Sequence, residues 1–336
     1  MTTTDSTPVR PVARTAADLL ARATNRQPLS NTDGKSAVPM QRVVIDETSY
    51  VTKQLSPALD WISRATGDYG CRARFCWQTG LLDELPDCLD HTTVAVAYEP
   101  DTLTTTLLMR DVAEHLVPEG NDTISLAQHR RFLDHMATLH ATFWFRAELL
   151  PEVTPMTTRY TTLSPLTAEI EERRGNPPEV PAMLAARWRE LDRATPDAAR
   201  VARAIAREPW LLVDPLSETP STFVHADWKL GNLGSQPDGR TILIDWQWPG
   251  TAPACVDLAW YLAVNSDRLP ESKEDAIAAY RDALESHGIA TASWFDRQLE
   301  LCLLGGFVQL GWSKTHDDDE LGWWAERACA TAHGLF

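Results

Sequence analysis

The sequence predicts an α+β fold in two lobes: a small β-rich lobe over residues 27–112 and a larger, mostly helical lobe over 113–336, preceded by an N-terminal helical extension over 1–26. Short β-branched runs bounded by turn residues cluster in the first third of the chain. Beyond them, apolar residues recur at three- and four-residue intervals, the period of a helix face. A length of 336 residues with 43% hydrophobic content is enough to fill a substantial core.

Arg10, Arg14, Arg22 and Arg26 surround Ala16-Ala17-Asp18-Leu19-Leu20, a pattern read as a short helix packed on the first lobe rather than an organellar leader. Asp33-Gly34-Lys35-Ser36 invites a phosphate-loop reading, but Leu29 stands where that motif needs its first glycine. Arg42–Ile45 and Ser49–Lys53 read as a hairpin across Asp46-Glu47, and residues 57–85 as helical. Thr92–Tyr98 and Thr104–Met109, parted by Glu99-Pro100-Asp101, complete a sheet of about five strands. From Ala127 to Leu150, Phe132, Met136, Leu139, Phe143 and Phe145 form an amphipathic stripe. His135 and His140 lie on that helix, but their spacing does not stack them on one face, so core or cap roles are expected rather than metal binding.

Residues 151–220 are rich in Pro, Glu and Arg, with Pro177-Pro178 and Pro181 breaking the helical segments. Thr222–Val224 reads as a buried strand, and Thr241–Ile244 as another beyond the turn Pro237-Asp238-Gly239. Helices over 271–288, 294–311 and 319–335 close the chain. Asp317–Glu320 reads as a helix N-terminus favoured by the macrodipole. The alternative is a cation-attracting wall in which Trp312, Trp323 and Trp324 offer cation–π contact.

With 31 Lys+Arg against 47 Asp+Glu, the formal charge of −16 opposes association with nucleic acid or an anionic membrane and favours cationic ligands. The six cysteines fit neither a paired zinc site nor a secreted disulfide scaffold, and reduced thiols are expected. No run approaches the roughly 20 apolar residues of a membrane span, and no signal-peptide core follows Met1, so a cytoplasmic protein is expected.

The most informative segment is Phe223-Val224-His225-Ala226-Asp227-Trp228-Lys229-Leu230-Gly231-Asn232, followed by Ile242-Leu243-Ile244 running into Asp245-Trp246. Phosphoryl transfer needs one carboxylate to orient the attacking hydroxyl, then an amide and a second carboxylate to hold Mg²⁺ on nucleotide phosphates. His-x-Asp-x-x-x-x-Asn and a later strand-borne Asp supply all three. A lone His-x-Asp would read as a turn or a helix cap, whereas here several constrained positions fall in order. A hairpin across Pro237-Asp238-Gly239 would bring Asp227, Asn232 and Asp245 to one edge. Lys229 is placed to reach the transferring phosphate, its alternative being a solvated surface lysine.

With Ala226 where protein kinases carry Arg, and Asp245-Trp246 in place of Asp-Phe-Gly, the segment resembles the aminoglycoside phosphotransferase and choline kinase-like family, a small-molecule branch of the protein-kinase-like fold. The resemblance is strong across 222–260 and moderate across 40–55 and 104–145. It implies ATP and Mg²⁺, with Asp227 and Lys229 as catalytic residues and Asn232 and Asp245 on the metal. It implies that Lys53, closing its hairpin strand, pairs with the nucleotide phosphates. Gly34 and Ser36 would lie in a turn over those phosphates, and Met109 and Asp111 in the backbone hinge that holds adenine. A second Asp, Asp257, would brace the catalytic loop.

The chain departs from the family where a helix Glu should anchor Lys53: Cys71-Arg72-Ala73-Arg74 offers no carboxylate. Asp68 is the expected substitute, with Asp60 another. The function implied is ATP- and Mg²⁺-dependent transfer of the γ-phosphoryl group to a hydroxyl of a small molecule, with a cationic, aminoglycoside-like acceptor in view. Two alternatives stay open: a kinase of an amino sugar, choline-like alcohol or other hydroxylated metabolite, and a nucleotide-binding pseudokinase, which the missing Glu motivates. Joint retention of Asp227, Asn232 and Asp245 argues against the pseudokinase.

Overall fold

The computed structural model describes residues 10–29, 38–144, 146 and 154–335. The chain forms two compact units, Met1–Val117 with Gly231–Gln247, and Pro118–Leu230 with Trp248–Phe336.

The N-terminal extension is described from residue 10 onward. Among its described residues the expected short helix forms as α1 (Ala16–Leu19), capped by Thr15, and the chain then enters strand β1 (Ala23–Leu29), which begins inside the predicted extension. Leu20 packs with Val43 and Leu108, which anchors the segment to the sheet. β1 is an edge strand, exposed along most of its length, held by its backbone ladder to β2 (Met40–Ile45) rather than by apolar alternation. β2 turns into β3 (Thr48–Leu55) through Asp46 at φ +48° and Glu47 at φ +64°. Two left-handed residues in a two-residue loop give the twist a tight hairpin needs.

Short helices α2 (Trp61–Ala65) and α3 (Arg72–Gln78) follow, then β4 (Leu89–Asp90), β5 (Thr93–Glu99) and β6 (Thr104–Arg110). The sheet has five strands in the order β1-β2-β3-β6-β5, with β3 and β6 antiparallel.

The second unit is helical. It begins with α4 (Leu126–Thr142), α5 (Met156–Thr162), α6 (Pro165–Arg174), α7 (Glu179–Ala194), α8 (Pro196–Arg207) and α9 (Trp210–Ser217), which lead to β7 (Ser221–Val224). Ser125 caps α4, and the predicted stripe Phe132, Met136, Leu139 and Phe143 is fully buried. The helix ends at Thr142, short of the predicted Leu150; Phe145 lies outside the described residues.

The chain then contributes β8 (Leu233–Ser235) and β9 (Thr241–Leu243) to the first unit, where β9 pairs parallel with β4 and antiparallel with β8. This pairing explains why the second segment of that unit begins at Gly231. A Cβ on Gly234 would stand 2.5 Å from the His115 carbonyl oxygen, so only glycine allows β8 to lie this close to the backbone at 115–116.

In the second unit, β10 (Gly250–Pro253) pairs with β7, followed by α10 (Cys255–Val264), α11 (Lys273–Ser286), α12 (Phe295–Leu310) and α13 (Asp318–Ala332). Asp317 caps α13 by accepting from Glu320 N at 3.0 Å. The face of Trp323 carries Arg327 at 3.8 Å and Lys273 at 4.8 Å, so the chain's own cations sit where the cation-attracting wall was considered. All six cysteines are free thiols. Among the described residues, no helix is long and apolar enough to cross a membrane.

Candidate active site

In the second unit, β7 delivers the loop that starts at His225. Ala226 stands at φ +62°, a left-handed conformation that costs a residue with a side chain of order 1–3 kcal/mol. Asp257, on the first turn of α10 and fully buried, holds it there. Its carboxylate accepts from His225 N at 2.9 Å, from Ala226 N at 2.5 Å and from His140 Nε2 at 3.1 Å. A carboxylate only accepts, so Nε2 of His140 carries its hydrogen, and Nδ1 meets the Tyr280 hydroxyl at 2.7 Å. Burial alone would raise the Asp257 pKa, but the hydrogen bond and charge from His140 and the loop N–H groups outweigh it and hold the carboxyl below its ordinary range.

The next residue is Asp227. Its Oδ1 accepts from Trp260 Nε1 at 3.0 Å, and its Oδ2 faces Lys229 Nζ at 3.0 Å. Asp227 N donates to His225 Nδ1 at 3.2 Å, and Leu230 N to Asn265 Oδ1 at 2.9 Å, so both ends of the loop are tied.

In the first unit, the β8–β9 hairpin brings Asn232 and Asp245 to one end. Leu233 pairs with Leu243, and Ile244 N donates to the Asn232 carbonyl at 3.0 Å. Asp245 is also left-handed, at φ +69°. Lys53, buried in β3, donates to Asp245 Oδ1 at 2.7 Å and to Gln247 Oε1 at 2.8 Å. The Gln247 amide in turn donates to Asp60 Oδ2 at 3.1 Å.

The expectation that Asp68 anchors Lys53 is therefore corrected. Asp68 accepts from Arg72 N at 2.9 and 3.1 Å, holding the start of α3. Burial raises its pKa against the opposing pull of Arg72. Asp60 caps α2 through Ile62 N and Ser63 N and reaches Lys53 only by way of Gln247.

Met109 lies in β6, paired with Val51 and Thr93. The Asp111 carboxylate accepts from Arg42 Nε at 2.7 Å and Ser49 Oγ at 2.8 Å, bonds that overcome partial burial and lower its pKa. Gly34 and Ser36 lie outside the described residues.

Among the described residues, no group of three or more His, Cys, Asp and Glu gathers as a protein-only metal cage. The amide of Asn232 and the carboxylate of Asp245 are oxygen donors on one hairpin end, the donor type suited to a hard cation that also takes water and phosphate oxygens. The cation Lys53 beside Asp245 suits phosphate oxygens in the same region.

Sequence reasoning missed Trp260, Gln247 and Asn265. Trp260 follows Asp257 by three residues, which puts both on one face of α10, and that spacing was the available signal.

A family model described as the phosphotransferase enzyme family matches residues 51–290. No curated protein matches the chain. Among solved structures, the choline kinase LicA from Streptococcus pneumoniae aligns with TM-score 0.54 at 12% identity over 95% of this chain and 95% of that one. LicA in complex with AMP gives TM-score 0.51 at 13% identity, covering 93% and 91%. A microcompartment-associated aminopropanol kinase gives 0.50 at 15% identity, covering 96% and 98%. These are likenesses of fold, the two-lobed protein-kinase-like one, with its small sheet lobe and larger helical part. The family match spans most of the chain and includes the braced loop, the hairpin acid and the strand lysine: this chain belongs to the phosphotransferase enzyme family.

Proposed function

We propose that this phosphotransferase moves the γ-phosphoryl group of ATP to a hydroxyl of a small molecule, with Asp227 as the base. The observation that carries the reading is the state of Asp227. Its carboxylate is held from one side by Trp260 and faced on the other by Lys229, on a loop whose left-handed residue is clamped by buried Asp257. A structural acid would not need that strain, and such strain gathers where a reacting group must be aimed.

In the proposed step, Asp227 accepts the acceptor's hydroxyl proton as the oxygen bonds to phosphorus, and the bond to the ADP oxygen breaks with its electrons staying on ADP. Lys229 follows charge onto the transferring phosphoryl oxygens. Lys53 holds the nucleotide phosphates, and the backbone at Met109 and Asp111 receives the adenine. Asn232 and Asp245 are the residues that would hold Mg²⁺, which supplies charge neutralisation on the phosphates when bound.

Lys53 is held by Asp245 and Gln247 although the helix Glu is missing, which supports an active kinase over a pseudokinase. A charge of −16 favours cationic acceptors, so amino alcohols, choline-like alcohols and aminoglycosides lead the candidate list. A cytoplasmic location fits an ATP-consuming enzyme of this kind.

The test is an ADP-release screen over such alcohols with Asp227→Asn as control. Turnover with at least one compound, reduced by about 10² or more in the variant, is expected. Equal turnover in parent and variant would remove Asp227 from the role.

A further inference from the structure

We propose that Trp260 is a positioning residue for phosphoryl transfer: its indole N–H pins Oδ1 of Asp227 and thereby fixes the orientation of the carboxylate that takes the acceptor's proton. The inference rests on Asp227 being the base. Torsion about the last bond of an aspartate is broad, so an unheld carboxylate presents either oxygen. Here Oδ1 accepts from Trp260 Nε1 at 3.0 Å, while Oδ2 faces Lys229 Nζ at 3.0 Å.

The two neighbours differ in kind. An indole N–H is a donor only, on a ring set by its helix, so it keeps its oxygen. An ammonium sits on a flexible four-carbon stem and can move to an incoming phosphoryl group.

Helix α10 supplies the whole device. Asp257 takes the N–H groups of His225 and Ala226 and sets the backbone, and Trp260, one turn on, sets the side chain of the residue that follows. The half-buried ring is not simply core filler, because its one polar atom is aimed at the carboxylate.

The clean probe is Trp260→3-benzothienylalanine, which keeps the ring shape and replaces N–H by sulfur; Trp260→Phe is the second variant. Activity is read as ADP release from ATP with amino alcohol, choline-like and aminoglycoside acceptors and with water. Both variants should lose about 10- to 100-fold in kcat, the loss of one hydrogen bond to a charged group, with KM for ATP within about twofold. In an Asp227→Asn background the same replacement should add nothing beyond about twofold, because Trp260 acts through that carboxylate.

A benzothienyl variant with kcat within about twofold of the parent would overturn the inference, as would equal losses in both backgrounds. If Asp227→Asn itself keeps kcat within about threefold, the base assignment fails and the inference with it. A crippled Asp227→Asn beside an unaffected benzothienyl variant removes only the role of Trp260.

Discussion

Replacing Asp257 by alanine removes the one carboxylate that satisfies three buried donors: His225 N, Ala226 N and His140 Nε2. A hydrogen bond to a charged group contributes about 1.5–3 kcal/mol, but three that share one carboxylate do not add independently. Removing one partner of a buried charged cluster typically costs about 3–5 kcal/mol, and that is the expected loss here. A native protein holds only about 5–15 kcal/mol, so a large part of the second unit's stability is at stake. At roughly 2–4 °C per kcal/mol for a unit of this size, Tm should fall by about 6–20 °C in a calorimetric scan. Ala226 would also lose the clamp on its left-handed backbone, so turnover at a temperature where the variant is still folded should fall with it. An Asp257→Ala protein that melts within about 2 °C of the parent would show that the brace is not what holds the loop.

Three further outcomes follow from the same contacts. Lys53→Ala should weaken ATP binding by about 1.5–3 kcal/mol in calorimetry. Gln247→Ala should give part of that loss without adding to it in the double variant, and Asp68→Ala should leave affinity unchanged; a loss in Asp68→Ala equal to that in Lys53→Ala would contradict the assignment. Asp245→Ala should abolish Mg²⁺-dependent tightening of nucleotide binding, and equal ATP affinity with and without Mg²⁺ in the parent would count against the hairpin site. Because the folded pKa of Asp257 is depressed, its stabilisation is present above the unfolded value of about 3.8 and is lost as pH falls through the folded one. The Tm gap between parent and Asp257→Asn should therefore narrow below about pH 4, and a gap that widens there would reverse the sign.

What the sequence revealed follows from how local the physics is. The hairpins across Asp46-Glu47 and Pro237-Asp238-Gly239 were legible because turn chemistry and β-branched runs act within a few residues. The stripe Phe132, Met136 and Leu139 was legible because one helix face carries its own periodicity. The strand β1 was not: Thr24, Asn25, Arg26 and Gln27 show no alternation, and only pairing with β2 makes them a strand. The anchor of Lys53 was sought nearby at Asp68, which instead meets its own helix at Arg72. The partners it has in the structure, Asp245 and Gln247, lie far along the chain, just beyond strand β9, whose pairing with β4 no local pattern announces. Trp260 was hidden for a different reason. An aromatic residue at helical spacing looks like core, and nothing in the sequence shows that its N–H points at Asp227.

The most direct measurement of the phosphoryl-transfer claim is mass spectrometry of the acceptor after incubation with ATP, Mg²⁺ and the parent protein or Asp227→Asn. The parent should add one phosphoryl group to a hydroxyl of at least one small alcohol while releasing one equivalent of ADP, and Asp227→Asn should slow that gain by about 10² or more. An acceptor phosphorylated equally fast by both proteins, or ADP released with the acceptors unchanged in mass, would contradict it.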